Sequence, residues 1–360
     1  MKLLVSAGGQ GTKLWPYSRE DKPKQFQPII GSKSLFAYNV ETLLKRFAPE
    51  DILISTKRKF IKYVSEQTPQ IPLRNYIIEP DIAKDRGPAE GYAFLKLAYL
   101  FPDEPFFMVQ VDDIRKPEEE FLQMIVDAEK LVKRDKKFIT GGIKATEPML
   151  GVDYLLLGDQ INIDTEQEIY SAKEFVDRKS NMAETRELVE NFHIVVHCNH
   201  SCWYPNLMLD AYKTYRPDWY DALMKIKDVF DKPGEDSETE RIYSTMEKGP
   251  TELVTKHIMP QAQIILLKFK WADIGTWSSL YEYFCTDCND VYSDGLVTSV
   301  DSENTLIKTN NPNKLVAIAG VDNMVVVDTD DVLLIIPKEK LDKIKDLQKL
   351  IKDRDLTKYL

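Results

Sequence analysis

The chain has 360 residues, which at about 150 residues per domain predicts two domains. Hydrophobic residues make up 43% of the sequence and charged residues 29%, so a disordered, collagenous or coiled-coil chain is excluded. The formal net charge of −10 excludes a non-specific nucleic-acid binder, which needs an excess of basic residues. A polyanionic ligand would therefore have to bind at a local basic cluster.

The sequence has no stretch of the roughly 18 uncharged residues that a membrane span needs, and its first residues do not form a signal peptide. Four cysteines, arranged as Cys198/Cys202 and Cys285/Cys288, are too few for a secreted disulfide framework. We therefore expect a cytoplasmic protein that binds no membrane and has free thiols.

The first half of the chain alternates apolar strands with amphipathic helices. We predict strands at residues 2–7, 52–55, 76–78 and 106–111, and helices at residues 34–47, 58–67, 89–100 and 118–133. This alternation is typical of an α/β domain with a mainly parallel sheet.

The second half has a looser pattern. We predict strands at residues 138–143, 154–157, 168–176, 192–196 and 263–269, a helix at 206–215, short β runs at 305–308, 314–318, 324–327 and 332–336, and a last helix at 338–353. No long internal repeat is evident. We divide the chain into a domain of residues 1–288 and a small β-rich domain of residues 289–360 that ends in the helix.

A glycine-rich turn, Gly8-Gly9-Gln10-Gly11, follows the first strand. Leu14 stands where a dinucleotide fingerprint needs its third glycine, and no Gly-Lys-Ser/Thr completes a P-loop. Glycines let backbone N–H groups approach phosphate oxygens, and basic residues follow closely at Lys13, Arg19, Lys22 and Lys24. The pattern favours polyphosphate binding; a tight turn with a solvated basic face is the alternative.

Residues 7–26, AGGQGTKLWPYSREDKPKQF, resemble the GGxGTRLWPxSRxxxPKQF opening of sugar-phosphate nucleotidyltransferases, and most closely the mannose-1-phosphate guanylyltransferase branch. Similar pieces follow in the family's order, at Glu79-Pro80, Arg86-Gly87-Pro88-Ala89, Asp112, Phe175-Val176-Asp177-Arg178 and Trp271-Ala272-Asp273-Ile274-Gly275-Thr276-Trp277. The resemblance covers about residues 1–285. It implies a Rossmann-like α/β domain with a mainly parallel mixed sheet, followed by a short, left-handed β-helix-like domain.

The resemblance also implies a reaction. An oxygen of mannose 1-phosphate would attack the α-phosphorus of GTP in line, with Mg²⁺ as cofactor, giving GDP-mannose and pyrophosphate. Two alternatives stay open: the same chemistry with another nucleoside triphosphate or hexose 1-phosphate, and a catalytically weak paralogue that binds nucleotide sugars and regulates a partner. A homodimer is also left open.

Site residues follow from the same motifs. Asp112 and Asp273 are the expected metal ligands, with Asp113 competing for the first position, and hard Mg²⁺ prefers such oxygen ligands. Lys13 and Lys24 are expected on the phosphates. The resemblance assigns nucleotide binding to Ala7, Gly8, Gly9, Gly11, Thr12, Lys13, Glu79, Arg86 and Gly87, and sugar-phosphate binding to Gly151, Tyr154, Asp177 and Arg178.

The chain departs from the family pattern at several of these positions. Lys13 replaces an arginine, and Asp177-Arg178 replaces Glu-Lys. Lysine is a point charge where arginine is a two-pronged donor, so charge is kept while geometry changes. Further departures at residues 85–88 and 110–113 bear on the identity of base and sugar more than on the reaction class.

Histidines and cysteines concentrate in one segment, which contains His193, His197, Cys198, His200 and Cys202. With Cys285-x-x-Cys288 they would form a tetrahedral zinc site if the two segments met. The alternative is that the cysteines are small buried hydrophobic residues and that the histidines line the sugar side of the pocket.

Overall fold

The computed structural model describes residues 1–9, 11–285 and 291–360. Its helices are α1 (Leu35–Leu44), α2 (Ile61–Gln67), α3 (Arg86–Leu100), α4 (Glu118–Asp135), α5 (Met182–Asn191), α6 (Pro205–Tyr215), α7 (Pro217–Lys227), α8 (Glu235–Ser244), α9 (Glu252–Ile258), α10 (Trp277–Phe284) and α11 (Ile344–Asp353). Its strands are β1 (Lys2–Ser6), β2 (Pro28–Ile30), β3 (Lys33–Ser34), β4 (Ile52–Lys57), β5 (Tyr76–Glu79), β6 (Phe106–Gln110), β7 (Asp113–Lys116), β8 (Ile139–Lys144), β9 (Tyr154–Gln160), β10 (Ile169–Val176), β11 (Ile194–His197), β12 (Ser201–Trp203), β13 (Gln263–Leu266), β14 (Lys270–Asp273), β15 (Val291–Ser293), β16 (Val297–Val300), β17 (Thr305–Thr309), β18 (Val316–Ala319), β19 (Met324–Asp328) and β20 (Leu333–Pro337).

The chain forms two compact units, and each is built from segments that are separate in sequence. The first unit consists of Met1–Gly8, Thr42–Gln110 and Arg115–Lys270, and the second of Gly9–Glu41, Val111–Ile114 and Trp271–Leu360. The chain passes from one unit to the other within the glycine-rich turn. The boundary expected at residue 288 falls outside the described residues and stays a prediction.

The first unit contains a ten-stranded sheet in the order β11-β9-β10-β13-β8-β12-β6-β1-β4-β5. Strands β6, β1, β4 and β5 are parallel neighbours, and β1 has fully buried leucines because it is covered on both faces. The second half of the chain joins mostly through antiparallel pairs, although β13 pairs with β8 in parallel. The predicted α/β class with a mixed sheet is confirmed, and the parallel arrangement is concentrated at the end formed by the first half.

Several helices of the first unit, among them α5 and α7, were not predicted from the sequence. Helix α7 begins at Pro217 in its first turn and buries Trp219, which is fully enclosed. Helix α5 begins where the Asn181 side chain accepts a hydrogen bond from the backbone N–H of Glu184 at 2.9 Å. Start signals of this kind were present in the sequence, and α7 also has an apolar stripe, so both helices could have been predicted.

The second unit has a hydrophobic core of its own. Leu14 and Trp15 of the first motif pack in one cluster with Trp277 of α10 and with Leu306 and Val325 of the β-rich segment. Helix α10 begins with a capping box, in which the Thr276 and Ser279 side chains each accept a hydrogen bond from the other's backbone N–H. The glycine-rich turn is thus followed by residues that belong to the core of the C-terminal segment.

The β-rich segment contains a short repeat of 19 residues, as the β-helix implied by the resemblance requires. Strand β16 pairs in parallel with β18, and β17 with β19, each residue lying against the residue 19 positions later. Asn304 and Asn323 take the same place in successive coils, both with positive φ. Parallel strands stacked at a fixed interval are typical of a β-helix. Sequence reasoning did not find the 19-residue period, because few residues are identical between the paired strands.

None of the helices within the described ranges is both long and apolar enough to cross a membrane.

Candidate active site

The glycine-rich turn is shaped by Gly11, which has a φ of +59°. A Cβ atom at Gly11 would lie 2.8 Å from Lys24 Cγ and 2.9 Å from the backbone nitrogen of Lys24, so only glycine fits. The Gln25 side chain donates a hydrogen bond from Nε2 to the carbonyl oxygen of Gly9 at 2.7 Å. Gly9 itself is exposed, and nothing lies within 4 Å of a Cβ placed on it. The turn therefore presents open backbone at Gly9.

Two neighbours of the turn were also expected at the phosphates. Thr12 opens a short 3-10 turn, Thr12–Leu14, and its side chain is not among those described. Lys13 is exposed on the same turn.

Lys24 lies in the same unit and is almost enclosed. Its ammonium group is 2.9 Å from Asp112 Oδ2 and donates to the carbonyl oxygen of Ile274 at 3.1 Å. Only 10% of the Lys24 side chain is exposed, against 34% for Asp112. The lysine supplies a fixed positive charge beneath a more accessible carboxylate.

Three carboxylates converge at this lysine. One oxygen from each of Asp112, Asp113 and Asp273 lies within 4.8 Å of the other two. Asp113 is buried, Asp112 is half-buried and Asp273 is exposed. The structure therefore brings together the two aspartates predicted from distant segments and adds the competing Asp113 to the same group.

The backbone around the three acids is held by specific hydrogen bonds. The Asn39 amide donates to the carbonyl oxygens of Val111 and Asp113, at 3.2 and 3.0 Å. The Ile274 N–H donates to the carbonyl oxygen of Asp112 at 2.9 Å, which joins the two acidic segments directly. Sequence reasoning missed Asn39, because its partners are 72 and 74 positions away.

Gly275 makes room for the third acid. A Cβ atom at this position would lie 2.9 Å from Asp273 Oδ1, so a larger residue would displace the carboxylate. The Ala-Asp-Ile-Gly sequence thus combines a ligand-type side chain with the space that it needs.

The donor set suits a hard divalent cation. All three side chains offer carboxylate oxygens, which Mg²⁺ prefers, and opposite ligands of an octahedral Mg²⁺ are about 4.2 Å apart. The observed spread of up to 4.8 Å is close to that size. Asp112, Asp113 and Asp273 are the residues that would hold such an ion.

In the first unit, Gly8 lies against the carboxylate of Glu79. A Cβ at Gly8 would be 2.3 Å from Glu79 Oε2, and the Ser55 hydroxyl donates to Glu79 Oε1 at 2.8 Å. Burial raises the pKa of Glu79, while the Ser55 hydrogen bond and the Lys57 charge oppose that rise. Glu79 is thus a buried acceptor at the end of β5, beside the strand end that leads into the glycine-rich turn.

The other nucleotide residues expected in this unit have bonds within the protein. The N–H of Ala7 donates to the carbonyl oxygen of Ser55 at 2.8 Å. Arg86 donates from Nε to Glu90 at 2.8 Å. A Cβ at Gly87 would lie 2.2 Å from the Trp219 ring, so glycine is required there for packing. Their assignment to nucleotide binding stays a prediction.

The expected sugar-phosphate residues lie where β9 begins and β10 ends. Gly151 has a φ of +77°, and the buried Tyr154 hydroxyl donates to the carbonyl oxygen of Met149 at 2.9 Å, which closes the loop between them. Asp177 is exposed. Arg178 forms an ion pair with Asp153, at 2.7 Å between Nη2 and Oδ2. Sequence reasoning missed Asp153, because only the pairing of β9 with β10 brings the two side chains together.

Within the described residues, the histidines and cysteines of this segment do not form a metal site. The only group there of at least three His, Cys, Asp or Glu suited to an ion is that of the three aspartates. Cys288, which the zinc hypothesis needs, lies outside those residues. Cys198 and Cys202 are buried, as the alternative expected. His197 Nε2 is 3.0 Å from the Thr140 hydroxyl, and burial lowers its pKa to about 4. His193 is exposed and lies edge-on to Tyr170.

Comparison with known proteins bears on the family. A family model described as nucleotidyl transferase matches residues 2–152, and one described as MannoseP isomerase/GMP-like beta-helix domain matches residues 295–350. The first of these matches covers less than half of the chain, and over that part the chain is similar to nucleotidyl transferases. The predicted resemblance is therefore confirmed, as is the combination of a nucleotidyltransferase domain with a C-terminal β-helix.

Two curated relatives illustrate what the chain is similar to. It is 28% identical to a mannose-1-phosphate guanylyltransferase of Salmonella muenchen over 287 residues, which cover 78% of this chain and 58% of the relative. It is 25% identical to the alginate biosynthesis protein AlgA of Pseudomonas aeruginosa, over 85% of this chain and 63% of the relative. The chain thus spans about six-tenths of the length of these relatives.

One solved structure matches this chain over nearly its whole length. It is described as mannose-1-phosphate geranyltransferase from Thermus thermophilus, and it is 22% identical with a TM-score of 0.83, covering 98% of this chain and 99% of its own. At this identity the match shows the fold. Nucleotidyltransferases of the family bind a nucleoside triphosphate and a sugar phosphate and generally use a divalent metal ion.

Proposed function

We propose that this protein makes GDP-mannose and pyrophosphate from GTP and mannose 1-phosphate with Mg²⁺. The observation that carries the proposal is the convergence of Asp112, Asp113 and Asp273, with the enclosed Lys24 beside Asp112. Relatives named mannose-1-phosphate guanylyltransferase support the choice of substrates.

Residues of the second unit would bind the triphosphate. The exposed backbone at Gly9 and the cation of Lys13 suit phosphate oxygens. The three aspartates would hold Mg²⁺, which supplies positive charge that neutralises the phosphates during transfer. Lys24 keeps the Asp112 carboxylate in place through its ammonium group.

Residues of the first unit would recognise the two substrates. Glu79 offers a buried carboxylate that can accept hydrogen bonds from the N1–H and N2–H groups of guanine, which favours GTP. Arg178, whose side chain is 58% exposed, offers a cation to the phosphate of the sugar. Tyr154 and Gly151 would shape the loop on the sugar side.

The reaction needs no protein nucleophile. A phosphate oxygen of mannose 1-phosphate forms a bond to the α-phosphorus of GTP, while the bond from that phosphorus to the oxygen bridging to the β-phosphate breaks. The bond electrons leave with pyrophosphate, and no proton has to move. The protein contributes alignment of the two phosphates and stabilisation of charge.

A pyrophosphate-release assay over a matrix of nucleoside triphosphates and hexose 1-phosphates tests this proposal. We expect turnover to be fastest with GTP and mannose 1-phosphate in the presence of Mg²⁺, and to stop when the metal is removed with a chelator. Faster turnover with another pair would contradict the proposed substrates and retain the reaction. Substrate binding without turnover of any pair would contradict the reaction and support a regulatory protein.

A further inference from the structure

Arg178 and Asp153 form an ion pair in the first unit that is joined by three hydrogen bonds. The Arg178 side chain donates from Nε to Asp153 Oδ1 at 3.0 Å and from Nη2 to Oδ2 at 2.7 Å. The backbone N–H of Arg178 also donates to Oδ1, at 3.0 Å. Three donors on one carboxylate leave the guanidinium with a single orientation.

The backbone holds Asp153 independently of Arg178. Asp153 immediately precedes β9, whose Tyr154 pairs with Val176 at the end of β10. The carbonyl oxygen of Asp153 accepts a hydrogen bond from the N–H of His197 at 2.9 Å, which ties it to β11 as well. The carboxylate is therefore a fixed anchor on the sheet, and the longer arginine side chain is the part that it orients.

The two side chains of this pair differ in their exposure to solvent. Only 12% of the Asp153 side chain is exposed, compared with 58% of Arg178. The acid lies inside and the guanidinium covers it, so the edge of the guanidinium that does not face Asp153 is on the solvent side. Arginine has five N–H donors, and those on Nη1 and the second hydrogen of Nη2 are directed away from the carboxylate.

We propose that Asp153 is a positioning residue, which orients Arg178 so that the outer edge of its guanidinium binds the phosphate of the sugar 1-phosphate. The inference rests on the proposed function for the identity of the sugar phosphate, and adds the residue that aligns its cation. A guanidinium can bridge a carboxylate on one edge and a phosphate on the other, whereas a lysine ammonium has no second edge. The bridge explains why an arginine serves at position 178.

The test compares Asp153→Asn, Arg178→Lys and the double variant. Binding of mannose 1-phosphate and of inorganic phosphate is measured by calorimetry, and the kinetic constants are measured with the assay above. We expect each single variant to raise the Kd of both ligands about tenfold. The KM for the sugar phosphate should rise in parallel, while kcat changes less than about threefold because the metal and the triphosphate are untouched. The double variant should bind about as weakly as either single variant, because the two residues act as a unit.

Two controls separate positioning from loss of structure. Asp159→Asn changes an exposed acid of the same strand β9 and should leave both Kd values unchanged. The Arg178 Nε–H resonance in a ¹H–¹⁵N spectrum should be protected from exchange in the unmodified protein and should lose that protection in Asp153→Asn, at an unchanged melting temperature.

Opposite results would overturn the inference. If Asp153→Asn leaves the Kd unchanged, Asp153 does not orient Arg178 for phosphate binding. If the variant lowers the Kd, Asp153 competes with phosphate for the guanidinium. If the fold-changes in Kd of the two single variants multiply in the double variant, the two residues act separately. Absence of turnover with every substrate pair would contradict the proposed function. In that case, weaker binding of inorganic phosphate by Asp153→Asn would still support the positioning role of Asp153.

Discussion

Two ion pairs, one in each unit, have opposite patterns of burial. In the second unit the cation is the hidden partner, with 10% of the Lys24 side chain exposed and 34% of Asp112. In the first unit the acid is hidden, with 12% of Asp153 exposed and 58% of Arg178. The exposed partner is the one that a ligand meets. The same chemistry, a lysine or arginine with an aspartate, thus offers negative charge at one place and positive charge at the other.

This difference follows what each ligand needs. A divalent cation requires accessible carboxylates, and Lys24 lowers the cost of bringing Asp112, Asp113 and Asp273 together. A phosphate requires an accessible cation, and Asp153 restricts the freedom of Arg178 before the ligand arrives, which reduces the entropy lost on binding. Either pair on its own at a fully exposed surface would contribute about 1 kcal/mol or less to stability.

Asp273→Asn should have the largest effect on the acidic side of the comparison. We expect kcat/KM to fall at least about a hundredfold, because the variant keeps the shape of the side chain and removes a ligand charge. The melting temperature should stay within about 2 °C, since Asp273 is exposed.

Asp353→Asn is the matched control, because it changes an exposed acid of α11. It should leave both the rate and the melting temperature unchanged. If Asp273→Asn has unchanged turnover as well, Asp273 is not in the active site.

Lys24→Met tests the buried cation of the same pair. We expect kcat to fall about thirtyfold, because the Asp112 carboxylate loses the group that fixes it. The Mg²⁺ concentration for half-maximal activity should decrease, since a competing positive charge is removed. Titration of activity with Mg²⁺ measures both effects, with Lys349→Met, a change at an exposed residue of α11, as control. A higher Mg²⁺ requirement would contradict the placement of Lys24 beside the metal ligands.

Low pH should lower the free energy of unfolding of the first unit, because it contains His197. Burial lowers the pKa of His197 to about 4, below its usual value of about 6.5. The unfolded chain then binds more protons between pH 6.5 and 4, so stability falls as the pH falls through this window. His200 shifts in the same direction for the same reason.

Urea unfolding of the parent protein and of His197→Gln at pH 8 and pH 5 measures this effect. The parent should lose about 2 kcal/mol more than the variant over that range, counting His197 alone. Equal losses would show that His197 is not buried in its neutral form.

Lys13→Arg should have the smallest effect. A guanidinium at this exposed position can contact two phosphate oxygens where the ammonium contacts one. We expect kcat/KM to be unchanged or to rise by up to about threefold in the same assay. A severe loss would contradict the assignment of Lys13 to the triphosphate.

The sequence predicted those parts of the fold that depend on local pattern. Strands β1 and β6 were found because they are continuous apolar runs, and the helix α4 because its apolar residues recur at helical spacing. Strand β12, with only three residues, became visible only through its pairing with β6 and β8.

Some residues of the candidate site were predicted from the sequence, and others were not. Asp112 and Asp273 were identified because each lies in a motif, and the structure brings them together. Asn39 and Asp153 were missed, since each acts through contacts with residues far away in the sequence and neither stands in a recognisable motif. Sequence motifs identify residues that would contact a ligand. The residues that hold them in place are identified only by their contacts in the tertiary structure.

The most direct test of the metal and triphosphate assignment is a crystal structure with GTP and Mn²⁺ in place of Mg²⁺, examined by anomalous scattering at the manganese edge. We predict an anomalous peak within about 2.3 Å of carboxylate oxygens of Asp112 and Asp273, with the triphosphate against the backbone at Gly9. A manganese peak away from these carboxylates, or a triphosphate that avoids the glycine-rich turn, would contradict the account.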